Sequence, residues 1–315
     1  MKTLPIIYSS DFKRHLTSPK HPEQPLRVEA IVRFLEHGPL GPFLEIVSPE
    51  EAPFEWLTEI HDPNYIFRLE EACLRGKSYI CGTDNEICYD SFEVAKLAAG
   101  AVLKAVELVE KEGHRVVFCP VRPPGHHAER TRALGFCLFN NVAIGARYWQ
   151  KHYGRRVLIL DWDAHHGNGI QNAFYEEAEV FYISLHENPR LSFPGTGTAE
   201  ERGIGPGEGY TLNIPMPLDS GDVAYEEAFR TIVDPAVQRF APEGIVLAAG
   251  FDGHRDDDMS FLNLTTGGFA VMSEYVRQWS QTFEAPVISV LEGGYDLESL
   301  VASVETHLRV LLALE

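Results

Sequence analysis

Residues 157–169 read Val157-Leu-Ile-Leu-Asp161-Trp-Asp163-Ala-His165-His166-Gly167-Asn168-Gly169, an apolar run that leads into carboxylates and imidazoles. The apolar run predicts a buried strand, and open α/β sheets place their ligand sites at the carboxyl ends of strands. Buried charges are costly unless they are paired or bound to a metal, so packing alone is a poor explanation for this cluster. The stretch therefore predicts an α/β fold with a metal site at one edge of its sheet.

Four more short apolar runs alternate with segments of helical periodicity, which is the pattern of parallel βαβ units. Asp62 before Pro63 is typical of a helix start, and Asp90 with Glu93 resembles a capping box. We predict one α/β domain over residues 1–315, with a mainly parallel β-sheet flanked by helices on both faces. The predicted strands are 116–121, 157–160, 180–185, 245–249 and 287–291, and the predicted helices are 26–36, 62–75, 90–111, 224–240, 268–282 and 297–314.

The composition argues against several classes of partner. A formal net charge of -19 disfavours nucleic acid and anionic membrane surfaces and favours a cationic substrate. Five cysteines without a C-x-x-C pair argue against a disulfide framework or a zinc ribbon, which fits a reducing cytoplasm. Neither a signal peptide nor a run of about 18 apolar residues is recognisable. We expect a cytoplasmic protein that binds neither nucleic acid nor membrane, and the sequence sets no oligomeric state.

Each predicted strand is followed by residues that carry chemistry. In a parallel sheet these strand ends lie along one edge, so the residues that follow them can converge on a single crevice. In chain order they are His126 and His127, the 161–169 cluster, Ser184 with His186, Asp252, and Tyr295.

Three of these residues form the pattern of a catalytic metal site. Asp163, His165 and Asp252 supply two carboxylate oxygens and one imidazole nitrogen, which leaves a coordination position open for water and a substrate oxygen. His126 and His127 are adjacent on a turn shaped by Pro and Gly, and they could act as a general base and an electrostatic partner.

The remaining candidates support these groups. Asp161 and Asn168 are the natural partners for orienting the two histidines. Tyr295 follows two glycines and could donate its hydroxyl to an oxyanion formed on a substrate carbonyl. Phe136 and Phe193 flank the motif loops, and two facing rings would make a narrow apolar slot. Each of these aromatic residues, taken alone, is more typical of a core or rim position.

With these motifs in place, the chain resembles the zinc-dependent histone deacetylase family, within the arginase/deacetylase fold. The resemblance runs from His21 to Asp296 and rests on five motifs in this order: Arg-Pro-Pro-Gly-His-His, Gly-Phe-Cys-Leu-Phe-Asn-Asn, Asp-Trp-Asp-Ala-His-His-Gly-Asn-Gly, Phe-Pro-Gly-Thr-Gly and Glu-Gly-Gly-Tyr. Asn168 stands where class I members have Asp, so the chain is similar to class II and bacterial members.

The resemblance implies a role for each matching position. Asp163, His165 and Asp252 would hold Zn²⁺, with His126 and His127 as acid/base residues and Tyr295 on the oxyanion. Phe136 and Phe193 would line an acyl-lysine tunnel, Gly135 would contact the substrate amide, and Arg27 would lie near an internal channel. A monovalent cation, K⁺ or Na⁺, is also implied: Asp161, Asp163, His165, Ser184 and Leu185 match an inner site, and Phe174, Glu177 and Val180 match an outer site more loosely.

Several alternatives stay open. The arginase branch binds two manganese ions, but Gly167 and His254 stand where the second metal would need carboxylates. Acetylpolyamine deacetylases carry an acidic gatekeeper at a position that corresponds here to Met259, which favours acyl-lysine, or a less selective acyl amide. The acidic triplet 256–258 keeps a cationic substrate open, although a solvated loop is the simpler interpretation. An inactive acyl-lysine binding module is a third hypothesis, and the sequence does not choose between Zn²⁺ and Fe²⁺.

Overall fold

A computed structural model of the protein describes residues 3–314. One sheet consists of eight parallel strands: β1 (Leu4–Ile7), β2 (Leu44–Val47), β5 (Val116–Cys119), β6 (Val157–Asp161), β7 (Val180–Glu187), β8 (Thr211–Met216), β9 (Gly244–Ala249) and β10 (Val287–Leu291). Their order across the sheet is β2-β1-β5-β10-β9-β6-β7-β8. A separate antiparallel pair consists of β3 (Tyr79–Ile80) and β4 (Gly82–Glu86).

Helices connect the strands. They are α1 (Leu26–His37), α2 (Phe54–Ile60), α3 (Pro63–Leu74), α4 (Ser91–Lys111), α5 (Asn141–Tyr153), α6 (Asn168–Phe174), α7 (Asp222–Ala228), α8 (Asp234–Phe240), α9 (Thr266–Thr282) and α10 (Leu297–Leu311). Asp62 caps α3 as predicted, because its side chain accepts a hydrogen bond from the Asn64 amide at 2.8 Å. Within residues 3–314, no helix is long and apolar enough to cross a membrane.

Helices cover both faces of the sheet, as predicted. Trp149 of α5 packs over Gly244 of β9, where a Cβ would lie 2.6 Å from its ring. His307 of α10 lies at hydrogen-bond distance, 2.9 Å, from the hydroxyl of Ser289 in β10, a residue that pairs with Leu247. Successive positions on a strand alternate between the two faces, so positions 244 and 247 of β9 lie on opposite faces of the sheet. Helices α5 and α10 therefore cover opposite faces. The central strands are therefore buried on both faces, as parallel sheets require.

Two predicted elements are wrong in detail. The helix predicted over 224–240 is divided by a π-helical turn, Phe229–Val233, before α8 begins at Asp234. Pro235 has no N–H to donate within a continuous helix, which accounts for the interruption. The capping box predicted at Asp90 is also absent, since its side chain makes no capping hydrogen bond and pairs with Arg14 at 2.5 Å instead.

Candidate active site

The carboxyl ends of the central strands surround a cavity of about 130 Å³. Most of the residues predicted from the sequence as catalytic or substrate-binding line it, while Asp161, Asn168 and Asp252 lie immediately behind its wall. A larger groove of about 830 Å³ between α1 and α10 holds no comparable cluster of metal-binding or acid/base groups. The lining of the smaller cavity is Asp84, His126, His127, Gly135, Phe136, Asp163, His165, Phe193, Met259 and Tyr295.

The three predicted metal ligands converge at this cavity. One donor atom from each of Asp163, His165 and Asp252 lies within 4.8 Å of the others. The Nδ1 atom of His165 is 2.9 Å from Asp252 Oδ2 and 3.3 Å from Asp163 Oδ1. Ligand atoms bound tetrahedrally to zinc at about 2.0 to 2.1 Å would be roughly 3.3 Å apart. The donor set therefore suits a single ion of this size.

The surrounding backbone fixes the two carboxylates. Asp163 Oδ2 accepts the Gly293 N–H at 2.8 Å, and Asp252 Oδ1 accepts the Ala164 N–H at 3.0 Å. Gly293 also leaves the space that the carboxylates fill, because a Cβ there would lie 2.6 Å from Asp163 Oδ2 and 2.6 Å from Asp252 Oδ2. These hydrogen bonds orient the ligands in the way that supporting residues do in metal sites.

The electrostatics of this cluster favour a cation. Burial, together with the charge of Asp163, raises the pKa of the Asp252 carboxyl to about 6. Burial opposes protonation of His165, but hydrogen bonds to Asp163 and Asp252 raise its pKa well above the ordinary value. Two buried carboxylates around one imidazole concentrate negative charge in a medium where it is poorly screened. A divalent ion at this position would compensate that charge.

The two adjacent histidines have the partners expected from the sequence. His126 Nδ1 lies 3.2 Å from Asp161 Oδ2, and His127 Nδ1 lies 2.9 Å from Asn168 Oδ1. The Asn168 amide donates its N–H to Glu129 Oε1 at 2.8 Å, so its oxygen faces His127. His127 Nδ1 must then carry the proton of that hydrogen bond, which leaves Nε2 unprotonated in the neutral ring.

Burial affects the two rings differently. Burial and the neighbouring charge of His126 lower the pKa of His127 well below its ordinary value, so the ring is neutral at pH 7. Burial alone would also lower the pKa of His126, but the carboxylates of Asp163 and Asp161 outweigh it and raise the pKa to about 10. One ring can therefore accept a proton while the other retains positive charge.

Tyr295 lies in the loop between β10 and α10, with its ring on the cavity. Burial raises the pKa of its phenol well above the ordinary value, so the hydroxyl keeps its proton. The guanidinium carbon of Arg27 lies 4.7 Å from the centre of the Tyr295 ring, and its Nε donates to the Gly294 carbonyl at 2.6 Å. A protonated phenol held in this way can donate a hydrogen bond into the cavity.

Aromatic rings make the entrance narrow. Phe193 meets the His127 ring edge-on at 4.9 Å between centres, and Phe136 meets Tyr295 in the same way at 6.0 Å. Gly135 has a φ of 54°, and a Cβ on it would lie 2.4 Å from His127 Cδ2 and 2.9 Å from Phe193 Cε1. Only glycine leaves this slot open. Met259 lines the cavity as well, as expected from counting along the chain.

The predicted monovalent cation positions are less distinct. Asp161 pairs with Ser184 in the register of β6 and β7, which agrees with an inner site that also includes Leu185. At the outer site, which includes Phe174 and Val180, the Glu177 carboxylate is bonded to Arg147 at 2.6 Å. The Glu177 carboxylate is therefore already paired with a cationic side chain.

Four contributors to this region were missed by sequence reasoning. Glu129 bonds Asn168, Asp84 accepts the Gly135 N–H at 3.0 Å at the entrance, and Asp257 is buried beneath Tyr295. Glu292 lies with Cys137 and His126 in a second group whose potential ligand atoms are within 4.8 Å. Burial raises the pKa of the Glu292 carboxyl to about 7. The position of Glu292 within Glu-Gly-Gly-Tyr was a usable signal, whereas the other three depend on contacts between distant segments.

Comparison with known proteins gives one consistent family. A family model described as "Histone deacetylase domain" matches residues 21–311. "Histone deacetylase 14, chloroplastic" of Arabidopsis thaliana is 38% identical over 98% of this chain and 76% of its own length. "Probable deacetylase" of Archaeoglobus fulgidus is 38% identical over 93% of this chain and 81% of its own length. The crystal structure of the HDA15 HD domain superimposes with a TM-score of 0.92 at 32% identity, covering 99% of this chain and 90% of that one.

Proposed function

Because the chain belongs to the histone deacetylase family, we propose that it hydrolyses N-acyl amide bonds, chiefly acetyl, on lysine side chains or similar amines. The proposal takes residues 1–315 as one catalytic domain and assigns Zn²⁺ to Asp163, His165 and Asp252. The observation that carries it is the convergence of these three ligands with His127 and Tyr295 around one narrow cavity.

The metal and the two histidines have distinct roles in this proposal. A bound zinc ion would lower the pKa of a water molecule and polarise the acyl carbonyl. His127 takes a proton on Nε2 during attack and returns it to the leaving amine, while Asn168 holds its Nδ1–H. His126, paired with Asp161, supplies positive charge beside the reacting atoms.

Tyr295 and the aromatic slot act on the substrate directly. The Tyr295 hydroxyl donates a hydrogen bond to the carbonyl oxygen as negative charge develops on it. Phe136 and Phe193 enclose the aliphatic part of an acyl-lysine side chain and exclude water, and Gly135 contacts the substrate amide. The slot supports a long, thin and largely apolar substrate arm.

Lysine is preferred over a polyamine because Met259 gives the rim an apolar thioether contact. An acetylpolyamine remains the second candidate, because the Asp84 carboxylate lines the same entrance and would attract a distal amine. Asp84 already accepts the Gly135 N–H, which reduces its capacity to bind a second donor.

The proposal also includes a monovalent cation, a class of partner and a location. K⁺ or Na⁺ is assigned to the inner site through Asp161, Asp163, His165, Ser184 and Leu185, and the outer site at Phe174, Glu177 and Val180 matches more loosely. The partner is an acylated lysine peptide or an acylated small amine rather than nucleic acid or membrane. All five cysteines are free thiols, which agrees with a reducing cytoplasm as the location.

The test is turnover of an acetyl-lysine peptide and of acetylspermidine by the same preparation, together with zinc analysis. We expect hydrolysis of both amides, with the higher kcat/KM for the peptide, and loss of both activities in His127→Ala with metal retained. Peptide binding without any turnover would instead show the inactive binding module. A higher kcat/KM for acetylspermidine than for every peptide tried would show the polyamine enzyme.

A further inference from the structure

Asp257 is the buried member of an otherwise exposed acidic triplet, Asp256-Asp257-Asp258. Its exposed fraction is 4%, whereas the Asp256 side chain is 63% exposed and pairs with His254. Asp258 is exposed. A carboxylate is rarely buried this deeply unless its oxygens are fully used. The interpretation of the triplet as a solvated loop is therefore wrong for its central residue.

The Asp257 carboxylate accepts three backbone hydrogen bonds from two different loops. Its Oδ2 atom accepts the Tyr295 N–H at 2.6 Å and the Asp296 N–H at 3.0 Å. Its Oδ1 atom accepts the Met259 N–H at 3.1 Å. Hydrogen bonds to an ionised acceptor are short and strong. One side chain thus joins the loop after β9 to the loop after β10.

The segment that this carboxylate holds links a pair of glycines to the start of a helix. Tyr295 follows Gly293 and Gly294, and Gly294 has a φ of 115° that side chains rarely adopt. On the far side, Asp296 accepts the Ser299 N–H at 2.8 Å and so begins α10. Asp257 therefore holds the Tyr295 N–H at the point where the chain leaves the glycine pair, which is itself bonded to Asp163 and Arg27, and enters α10.

We propose that Asp257 is a positioning residue that sets where the Tyr295 hydroxyl meets the substrate carbonyl. The inference rests on the proposed oxyanion role of Tyr295 and adds the residue through which that role is maintained. Hydrogen-bond donors stabilise developing charge only when they are held at the correct distance, and a misplacement of about 1 Å can cost on the order of a hundredfold in rate.

The experiment compares Asp257→Ala and Asp257→Asn with the matched neighbour control Asp258→Ala. Alanine removes both acceptor oxygens and with them all three hydrogen bonds, so kcat for an acetyl-lysine peptide should fall at least about tenfold, with KM within about twofold and one zinc per chain. Asparagine keeps one oxygen for the Tyr295 and Asp296 amides and should retain most of kcat. Asp258→Ala should match the parent protein.

Two further readouts separate positioning from general support of the fold. In a Tyr295→Phe background, Asp257→Ala should cause less than about a twofold further loss, because the group it positions is already gone. Hydrogen exchange at the amides of residues 295 and 296 should accelerate in Asp257→Ala even in metal-free protein. If the alanine variant does not fold, Asp257→Ser takes its place in both measurements.

Each contrary result has a defined meaning. If Asp257→Ala lowers kcat by the same factor in the parent protein and in the Tyr295→Phe background, the proposal is overturned, because Asp257 would then not act through the Tyr295 hydroxyl. Loss of zinc from Asp257→Ala would also overturn the proposal, because the substitution would then act through Asp252. A raised KM with unchanged kcat would overturn it as well, because the substitution would then act through Met259. If Tyr295→Phe itself retains full turnover, the oxyanion role fails first and the positioning role falls with it.

Discussion

Replacing Gly293 with alanine should weaken zinc binding, because this glycine leaves the space that the two carboxylates of the proposed zinc site occupy. The added Cβ would lie 2.6 Å from Asp163 Oδ2 and 2.6 Å from Asp252 Oδ2. Restoring ordinary contact requires the carboxylates to move by about 0.5 Å or more. Ligand distances in metal sites hold to within about 0.2 Å, so both ligands would leave the binding geometry. We expect the Kd for zinc to rise about 10- to 100-fold, or about 1.4 to 2.7 kcal/mol.

The assay is competition for Zn²⁺ between the apoprotein and a chromophoric chelator at neutral pH. Gly253→Ala is the matched control, because it adjoins Asp252 but the nearest neighbours of its Cβ would be the side chains of Leu264 at 3.2 Å and Leu262 at 3.5 Å. A leucine methyl can yield at that distance, so the control should bind zinc within about threefold of the parent. An unchanged Kd in Gly293→Ala would refute the assigned metal site.

Three other outcomes follow from the same structure. Tyr295→Phe should keep its zinc but lose at least about a hundredfold in kcat, measured with an acetyl-lysine peptide; near-normal turnover would contradict the oxyanion role. Met259→Glu should raise kcat/KM for acetylspermidine relative to the peptide, and an unchanged ratio would show that this position is not the gatekeeper. Burial lowers the pKa of His61 to about 4 and of His307 to about 3, so below pH 6.5 only the unfolded chain takes up these protons. From about pH 6.5 down to about pH 4, each of these rings should therefore lower the unfolding free energy of metal-free protein by up to about 1.4 kcal/mol per pH unit, against the opposite contribution of Asp252 and Glu292, whose pKa values are raised. Urea denaturation of His307→Gln across this range should show a pH slope that lacks the contribution of one ring.

The central strands were predictable because they are continuous apolar runs with chemistry at their ends. Strands near the two ends of the sheet were not. β1, which lies next to the edge strand β2, and the edge strand β8 each contain a proline, Pro5 and Pro215, which the sequence patterns count against a strand. Proline is tolerated where its missing N–H costs no ladder hydrogen bond, and that depends on the neighbouring strands rather than on local sequence.

The convergence of the candidate site residues was predictable for the same reason as the central strands. Asp163, His165, Asp252 and Tyr295 follow strands directly, so the parallel topology alone brings them to one edge. Asp257 and Glu129 act through hydrogen bonds to residues 38 and 39 positions away, Tyr295 and Asn168. No periodicity encodes such contacts, since they depend on how loops fold against each other. The capping box expected at Asp90 failed similarly, because an ion pair with distant Arg14 took its side chain.

The most direct test of the account is a zinc titration of the metal-free protein, followed by hydrolysis of an acetyl-lysine peptide. With Asp163, His165 and Asp252 as the single catalytic metal site, activity should rise linearly and stop at one equivalent of Zn²⁺ per chain. The Asp252→Ala protein should show no such rise. An activity that stops rising only at two equivalents of Zn²⁺, or full activity before any zinc is added, would contradict the account.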